Sequence, residues 1–325
     1  MSAMRHLHKN AAAILGAALL LAVAPAGHAA DKIRVAKAID VLWVYTALDV
    51  GVEEGIFAKY GLDLDISVMP GDAKLQQALI ADSIDIGLAG GPSMALSVKG
   101  SPAMAVAAYA GPPRNFSVIL VADSPIKTVA DLKGKTLATA TSGSLPEWLI
   151  KRVSIAEGWG PTGIKTTASG GFEASMAATL NHSVDGFMGA TEAGLLLEEQ
   201  KRGRILTGAE KYAPHFVSQV ITTRQPYIKE HPELVERFLK GMFASIAFVK
   251  ANKDKSTAIA QRVLHQSPTV MSKVYDAEVG MLSDDGTFDP DGMNVLKDSF
   301  TDLGILPKRP SDNQLFTTQF LPVKP

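Results

Sequence analysis

The sequence predicts an α/β protein of two similar lobes, each built on a parallel-rich sheet, with two strands crossing between them as a hinge. Three observations carry this reading. Short β-rich runs alternate with amphipathic helical stretches, the pattern of βαβ units. The pattern is also written twice: ALIADSIDIGLAGGPSMAL at 78–96 and ATLNHSVDGFMGATEAGLL at 178–196 lie one hundred residues apart. Each reads as a helix end, a Ser-Ile-Asp or Ser-Val-Asp turn, a buried strand, and a small-residue turn into another helix. The offset holds upstream, where 64–71 aligns with 164–171. Finally, two isolated β-rich runs, 116–122 and 217–223, bracket the second unit.

The elements follow in order. Strand 33–38 opens the first unit, and a turn at 40–45 leads to a helix reaching residue 60, stopped by Gly61. Alternation predicts a strand over 62–69. Gly71-Asp72 caps a helix to 81 that carries Leu75 and Leu79 on one face. Strand 84–88 follows, and 90–93 opens a helix ending near Gly100. Strand 103–110 is closed by Gly111-Pro112-Pro113, and 128–134 is a single helical turn with a start signal and a Gly stop. The second unit repeats the series: strand 135–140, turn 141–146, helix 147–157, strand 164–167, helix 173–181, strand 184–188 and helix 191–202. Beyond 217–223 the chain is helical. A long helix over 231–252 aligns Val235, Phe238, Leu239, Met242 and Ile246 on one face, and 257–264 continues it. Ser267-Pro268 and Asp289-Pro290 each set a capping residue before a proline at the first helical position. Gly304 ends the last helix, and 307–325, rich in proline, packs as an irregular tail. The domain expectation is a signal at 1–30, lobe one over 31–118, lobe two over 119–221, and a helical return to lobe one over 222–325.

Composition bounds the function. Arg5 and Lys9 precede an apolar run at 11–24, and small residues at 27–30 suit cleavage after Ala29 or Ala30. That is an export signal, too short for an ordinary span, and it predicts a soluble periplasmic protein. There is no cysteine, which excludes disulfides, thiol chemistry and a lipid anchor. Without the signal, 30 Lys and Arg face 33 Asp and Glu, and no basic stripe suggests nucleic acid. His182, His215, His231 and His265 lack metal-ligand spacing. No cofactor is expected. No nucleophile elbow or HExxH motif argues for catalysis, so an enzyme is the disfavoured alternative.

Five segments in order then resemble one family: GVEEGIFAKYGLDLDI at 51–66, the 78–96 segment, SPIKTVADLKGKTLATATSGS at 124–144, SVDGFMGATEAGLLL at 183–197 and ITTRQPYIKEHPELVERFLKGMFASI at 221–246. The chain resembles the periplasmic substrate-binding proteins of the nitrate/sulfonate/taurine ABC-transporter group, related in fold to thiamine-pyrimidine-precursor proteins. That resemblance implies a type II two-lobed binding protein. It implies a monomer that captures a small molecule between its lobes and delivers it to a permease with its ATPase. A ligand-presenting receptor for a membrane sensor is the alternative role.

Ligands of open α/β sheets bind beyond the carboxyl ends of the strands. Four strand-to-helix turns qualify: 40–45, 90–94, 141–147 and 190–192. Helix N-termini there offer free N–H groups to an anionic or carbonyl oxygen, and Gly90, Gly91 and Gly143 permit close backbone approach. Thr141, Ser142, Ser144, Ser93 and Thr191 are candidate hydroxyl donors. Ser144 and Glu147 also fit a capping box, in which both side chains would serve the helix instead. Trp43 and Tyr45 are candidates to stack on a planar ligand, and Phe116 to floor the cleft. Arg114 is the one basic candidate near the cleft, able to pair with a carboxylate or sulfonate; Asp40 and Glu192 are acidic candidates at its mouth. This balance favours a mono-anion held by helix ends, or a neutral or cationic heterocycle.

Overall fold

A computed structural model describes residues 30–39 and 41–325. The expected signal and Asp40 lie outside the described residues. No helix of the described residues is long and apolar enough to cross a membrane.

The first half runs β1 (Asp31–Lys37), α1 (Thr46–Glu53), α2 (Ile56–Lys59), β2 (Leu62–Val68), α3 (Asp72–Ile80), β3 (Ile86–Gly90), α4 (Ala95–Val98) and β4 (Ala103–Ala110). The helix expected through residue 60 is two pieces, because Gly55 takes a left-handed conformation between them. The second half runs β5 (Phe116–Val121), β6 (Thr136–Thr139), α5 (Leu145–Ala156), β7 (Lys165–Ala168), α6 (Phe172–Leu180), β8 (Gly186–Ala190), α7 (Thr191–Glu199), β9 (Gly203–Gly208) and β10 (Gln219–Arg224). Five helices follow: α8 (Gln225–Glu230), α9 (Pro232–Ala251), α10 (Lys253–Leu264), α11 (Pro268–Glu278) and α12 (Pro290–Asp302).

The strands form two five-stranded sheets with matching orders, β2-β1-β3-β10-β4 and β7-β6-β8-β5-β9. The first three strands of each are parallel. The other pairings are antiparallel: β10 enters the first sheet between β3 and β4, and β5 enters the second between β8 and β9. β5 follows β4 yet lies in the second sheet, and β10 follows β9 yet lies in the first. The chain therefore crosses through 111–115 and again through 209–218, and each sheet is mixed rather than parallel throughout.

The sequence repeat is a structural repeat. Asp82 and His182 both adopt positive φ at the turn before β3 and β8. Asp85 accepts from the Arg34 N–H at 2.8 Å and Asp185 from the Thr136 N–H at 2.8 Å, while both donate N–H back to the partner strand. Each aspartate thus locks its strand beside the first strand of its own sheet.

The long C-terminal helix buries the face its periodicity predicts: Val235, Phe238, Leu239, Met242 and Ile246 are all in the core. It packs on α1 and α2, with Phe57 stacked on Phe238 at 5.6 Å. At roughly 25 cal/mol per Å² of apolar area, such a face outweighs the weak intrinsic stability of an isolated helix. Ser267 and Asp289 cap α11 and α12 as expected, accepting from Val270 and from Asp291 and Gly292. α12 reaches the second half, where the Trp148 indole N–H donates to Asp302 at 3.2 Å. The tail lies along β4, with Thr317 N–H donating to the Ala105 carbonyl and Ala105 N–H to that of Leu315.

Candidate functional site

Parallel strands point their carboxyl ends the same way, so the turns leaving β1, β2 and β3 collect at one edge of the first sheet. Those leaving β6, β7 and β8 collect at one edge of the second. The two edges face each other across a cavity of about 550 Å³. A smaller depression of about 410 Å³ between α9 and the tail draws on no residue of the second half.

Six expected residues line the cavity: Tyr45, Gly90 and Ser93 from the first half, and Thr141, Gly143 and Ser144 from the second. Phe116 lines it too. Asp72, Phe172, Ser218 and Gln219 join them, although sequence reasoning had passed over them. Asp72 and Phe172 are the first residues of α3 and α6, one hundred positions apart. The repeat itself held this signal, since it puts the turns after β2 and β7 at equivalent cleft positions. At the local level Gly71-Asp72 signals only a helix start.

The polar wiring is specific. Asp72 Oδ1 accepts the Gly90 N–H at 2.9 Å. A Cβ on Gly90 would stand 2.9 Å from Asp72 Oδ2, so glycine is what allows this approach. The Tyr45 hydroxyl donates to Gln219 Oε1 at 3.0 Å. The hydroxyls of Ser93 and Ser218 are buried on the cavity wall without a hydrogen-bond partner, as is the Tyr109 hydroxyl nearby. Buried polar groups are nearly always satisfied, so unsatisfied ones at a cavity mark where a guest is expected. Phe116 and Phe172 pack with ring centroids 6.2 Å apart and form an apolar wall. Burial pushes the Asp72 carboxyl up to about 6, against the Gly90 N–H, which favours the charged form.

Ser144 does not form the capping box. Its hydroxyl donates to the Thr141 carbonyl at 2.6 Å, and no side chain caps the start of α5. Glu147 instead accepts the Gly143 N–H at 2.6 Å and pairs with Lys151 at 2.8 Å. Desolvation pushes the Glu147 carboxyl up, but these hydrogen bonds outweigh it and hold the group below its ordinary value.

Five candidates stand elsewhere. Trp43 is buried in the first core, edge-to-face with Tyr275 at 5.7 Å, because its turn continues as a short helix that points the indole inward. Gly91 packs on the Val217 carbonyl, which a Cβ would strike at 2.1 Å. Ser142 is exposed beside its lining neighbours. Arg114 is exposed on the first crossover, its guanidinium beside Gly280. Thr191 is buried, donating to the Arg114 carbonyl at 2.8 Å and sharing a 2.8 Å hydrogen bond with Ser117.

Glu192 is a different kind of miss. It is buried where α7 meets the first half, accepting the Trp43 N–H at 2.7 Å. Burial pushes its carboxyl up to about 7, opposed by that N–H. Glu278, at the end of α11, is fully buried beside it, and both burial and the neighbouring Glu192 charge push it higher still. Burial raises both acids, and neither is among the residues that line the cavity. Among the described residues, no group of three or more His, Cys, Asp or Glu could hold a metal ion.

A two-lobed α/β fold with a lined cleft at facing strand ends defines a class, the periplasmic-binding-protein fold. Sequence comparison narrows it: a profile described as NMT1/THI5 like matches residues 43–256, and the chain belongs to that family. A protein of Brucella abortus, named only as a binding protein, is 32% identical over 135 residues. That match covers 40% of this chain and 41% of the relative's length. Among solved structures, the alkanesulfonate-binding protein SsuA of Xanthomonas axonopodis pv. citri, bound to MOPS, is similar with a TM-score of 0.73 at 18% identity. The alignment covers 88% of this chain and 98% of that one. The periplasmic aliphatic sulphonate binding protein SsuA of Escherichia coli gives a TM-score of 0.75 at 18% identity, covering 88% and 92%. These identities establish the shared fold.

Proposed function

We propose that this chain is the extracytoplasmic solute receptor of an ABC importer, holding a small organic molecule between its halves and presenting it to a membrane permease. The observation that carries this is the cavity of about 550 Å³, lined from both halves and holding two buried, unpartnered serine hydroxyls. Pockets of this size suit a small organic ligand. A guest touching both halves makes its full contacts only when they close on it, so binding selects the closed state. The family membership and the sulfonate-binding neighbours support the same reading. Export to the periplasm follows from the basic, then apolar, N-terminal segment.

A thermal-shift screen of the chain from Ala30 onward, with organic amines, amidines, carboxylates and sulfonates, tests it. A ligand at about one hundred times its dissociation constant adds roughly 2.7 kcal/mol. The expected result is a clear shift with one class, sharply reduced by Leu96→Trp, which puts a larger ring on the cavity wall. A shift of equal size in that variant would place binding outside the cleft and contradict the proposal.

A further inference from the structure

The cleft's lining is unbalanced in charge. Among the described residues that line the cleft there is no Lys, Arg or His, and Asp72 is the one carboxylate. Lys37, at the carboxyl end of β1, is already committed to Asp49 at 2.9 Å. Two of the backbone donors at the cavity are also taken. The Gly90 N–H is bound by Asp72 and the Gly143 N–H by Glu147, one in each half. An anion entering here would lose its water, meet a carboxylate, and find neither cation nor those N–H groups to compensate. A cationic head would find a carboxylate to pair with, two unpartnered serine hydroxyls that can accept as well as donate, and an aromatic wall for its body.

Resting on the solute-receptor reading, we infer that the ligand is a compact organic cation or N–H-rich base, an amine or amidine on an apolar body. Its head sits on Asp72 and its body lies against Phe116 and Phe172. Asp72 is then the residue that sets specificity, and Gly90 is the residue that lets it reach into the cleft. The charge state of Asp72 also makes capture pH-dependent. The titratable groups facing it are Tyr45 and Tyr109, which burial pushes well above their ordinary value, so both stay neutral. Lys74, on the same helix, is turned to Gln77 at 3.1 Å.

Calorimetry with three probes sharing one ring decides the point: benzamidine, benzoate and benzenesulfonate. At pH 7.5 benzamidine is expected to bind at least about tenfold tighter than either anion. Asp72→Asn should weaken benzamidine by about tenfold and narrow that gap. Gly90→Ala, which pushes the carboxylate aside, should act in the same direction. Lowering the pH to 5 should weaken benzamidine about tenfold in the natural chain and hardly at all in Asp72→Asn, because about nine-tenths of a group titrating near 6 is protonated there. Tighter binding of an anion, benzamidine binding indifferent to Asp72→Asn, or no benzamidine binding at millimolar concentration would each overturn the inference. An anion bound in the natural chain and sharply weakened in Leu96→Trp would overturn it while leaving the receptor reading intact. Binding unchanged in Leu96→Trp would take both.

Discussion

Asp72 and Phe172 occupy the same place in two copies of one structural unit. Each is the first residue of the helix after the second strand of its sheet, and each faces the cleft. One is an acid that captures the backbone N–H of Gly90; the other is a ring that packs on Phe116. The scaffold repeats while the chemistry diverges, so one half presents charge and the other an apolar surface. The same offset separates Gly91 from Thr191 and Pro92 from Glu192. In the first half this turn is pressed against the Val217 carbonyl of the returning crossover. In the second, Thr191 and Glu192 reach back across the junction by hydrogen bonds.

The largest expected effect breaks that turn. Gly91→Ala forces a Cβ into the Val217 carbonyl, and overpacking of this kind costs about 1–3 kcal/mol or more. Chemical denaturation should show it, whereas Thr191→Ala should cost about 1–2 kcal/mol through lost hydrogen bonds. Equal costs would mean the two turns are not constrained differently.

Asp72→Asn comes next. Burial raises its carboxyl to about 6, so the folded chain holds the proton more tightly than the unfolded chain does. The stability this provides is complete below the unfolded value of 3.8 and is lost as pH rises through about 6. Asp72→Asn should therefore be as stable as the natural chain near pH 4 and more stable at pH 7.5, by about 1–3 kcal/mol. Phe172→Ala should show no such pH dependence and cost about 1–2 kcal/mol at every pH. A pH-independent effect of Asp72→Asn would contradict the assigned burial.

The Glu192–Glu278 pair gives the same sign from the junction, where the first half has only Pro92 at the matching position. Both carboxyls are raised by burial, so stability should fall as pH climbs from about 4.5 through about 7. Glu278→Gln should flatten that fall, as read from unfolding midpoints across the range. A slope unchanged in Glu278→Gln would remove the pair from the account.

Much of this was legible in the chain. The repeat at a fixed offset, the helix caps at Ser267 and Asp289, and the apolar face of α9 are local patterns, and local patterns survive without coordinates. The crossing of the chain at β5 and β10 was legible in the two isolated β-rich runs, while their antiparallel pairing was hidden, because hydrophobic runs do not name their neighbours. Trp43 and Glu192 misled for a related reason: a turn fixes where the backbone goes, while tertiary packing decides which way a side chain faces. Asp72 was missed because a capping role explained it fully at the local level.

The central claim is that the two copies of the turn grip one solute together. Hydrogen–deuterium exchange on the chain from Ala30 onward, with and without a saturating ligand from the screen, tests it most directly. The account predicts simultaneous slowing over 69–75 and 90–94 in the first half and over 141–146 and 170–175 in the second. Protection confined to one half, or lying outside these turns, would contradict it.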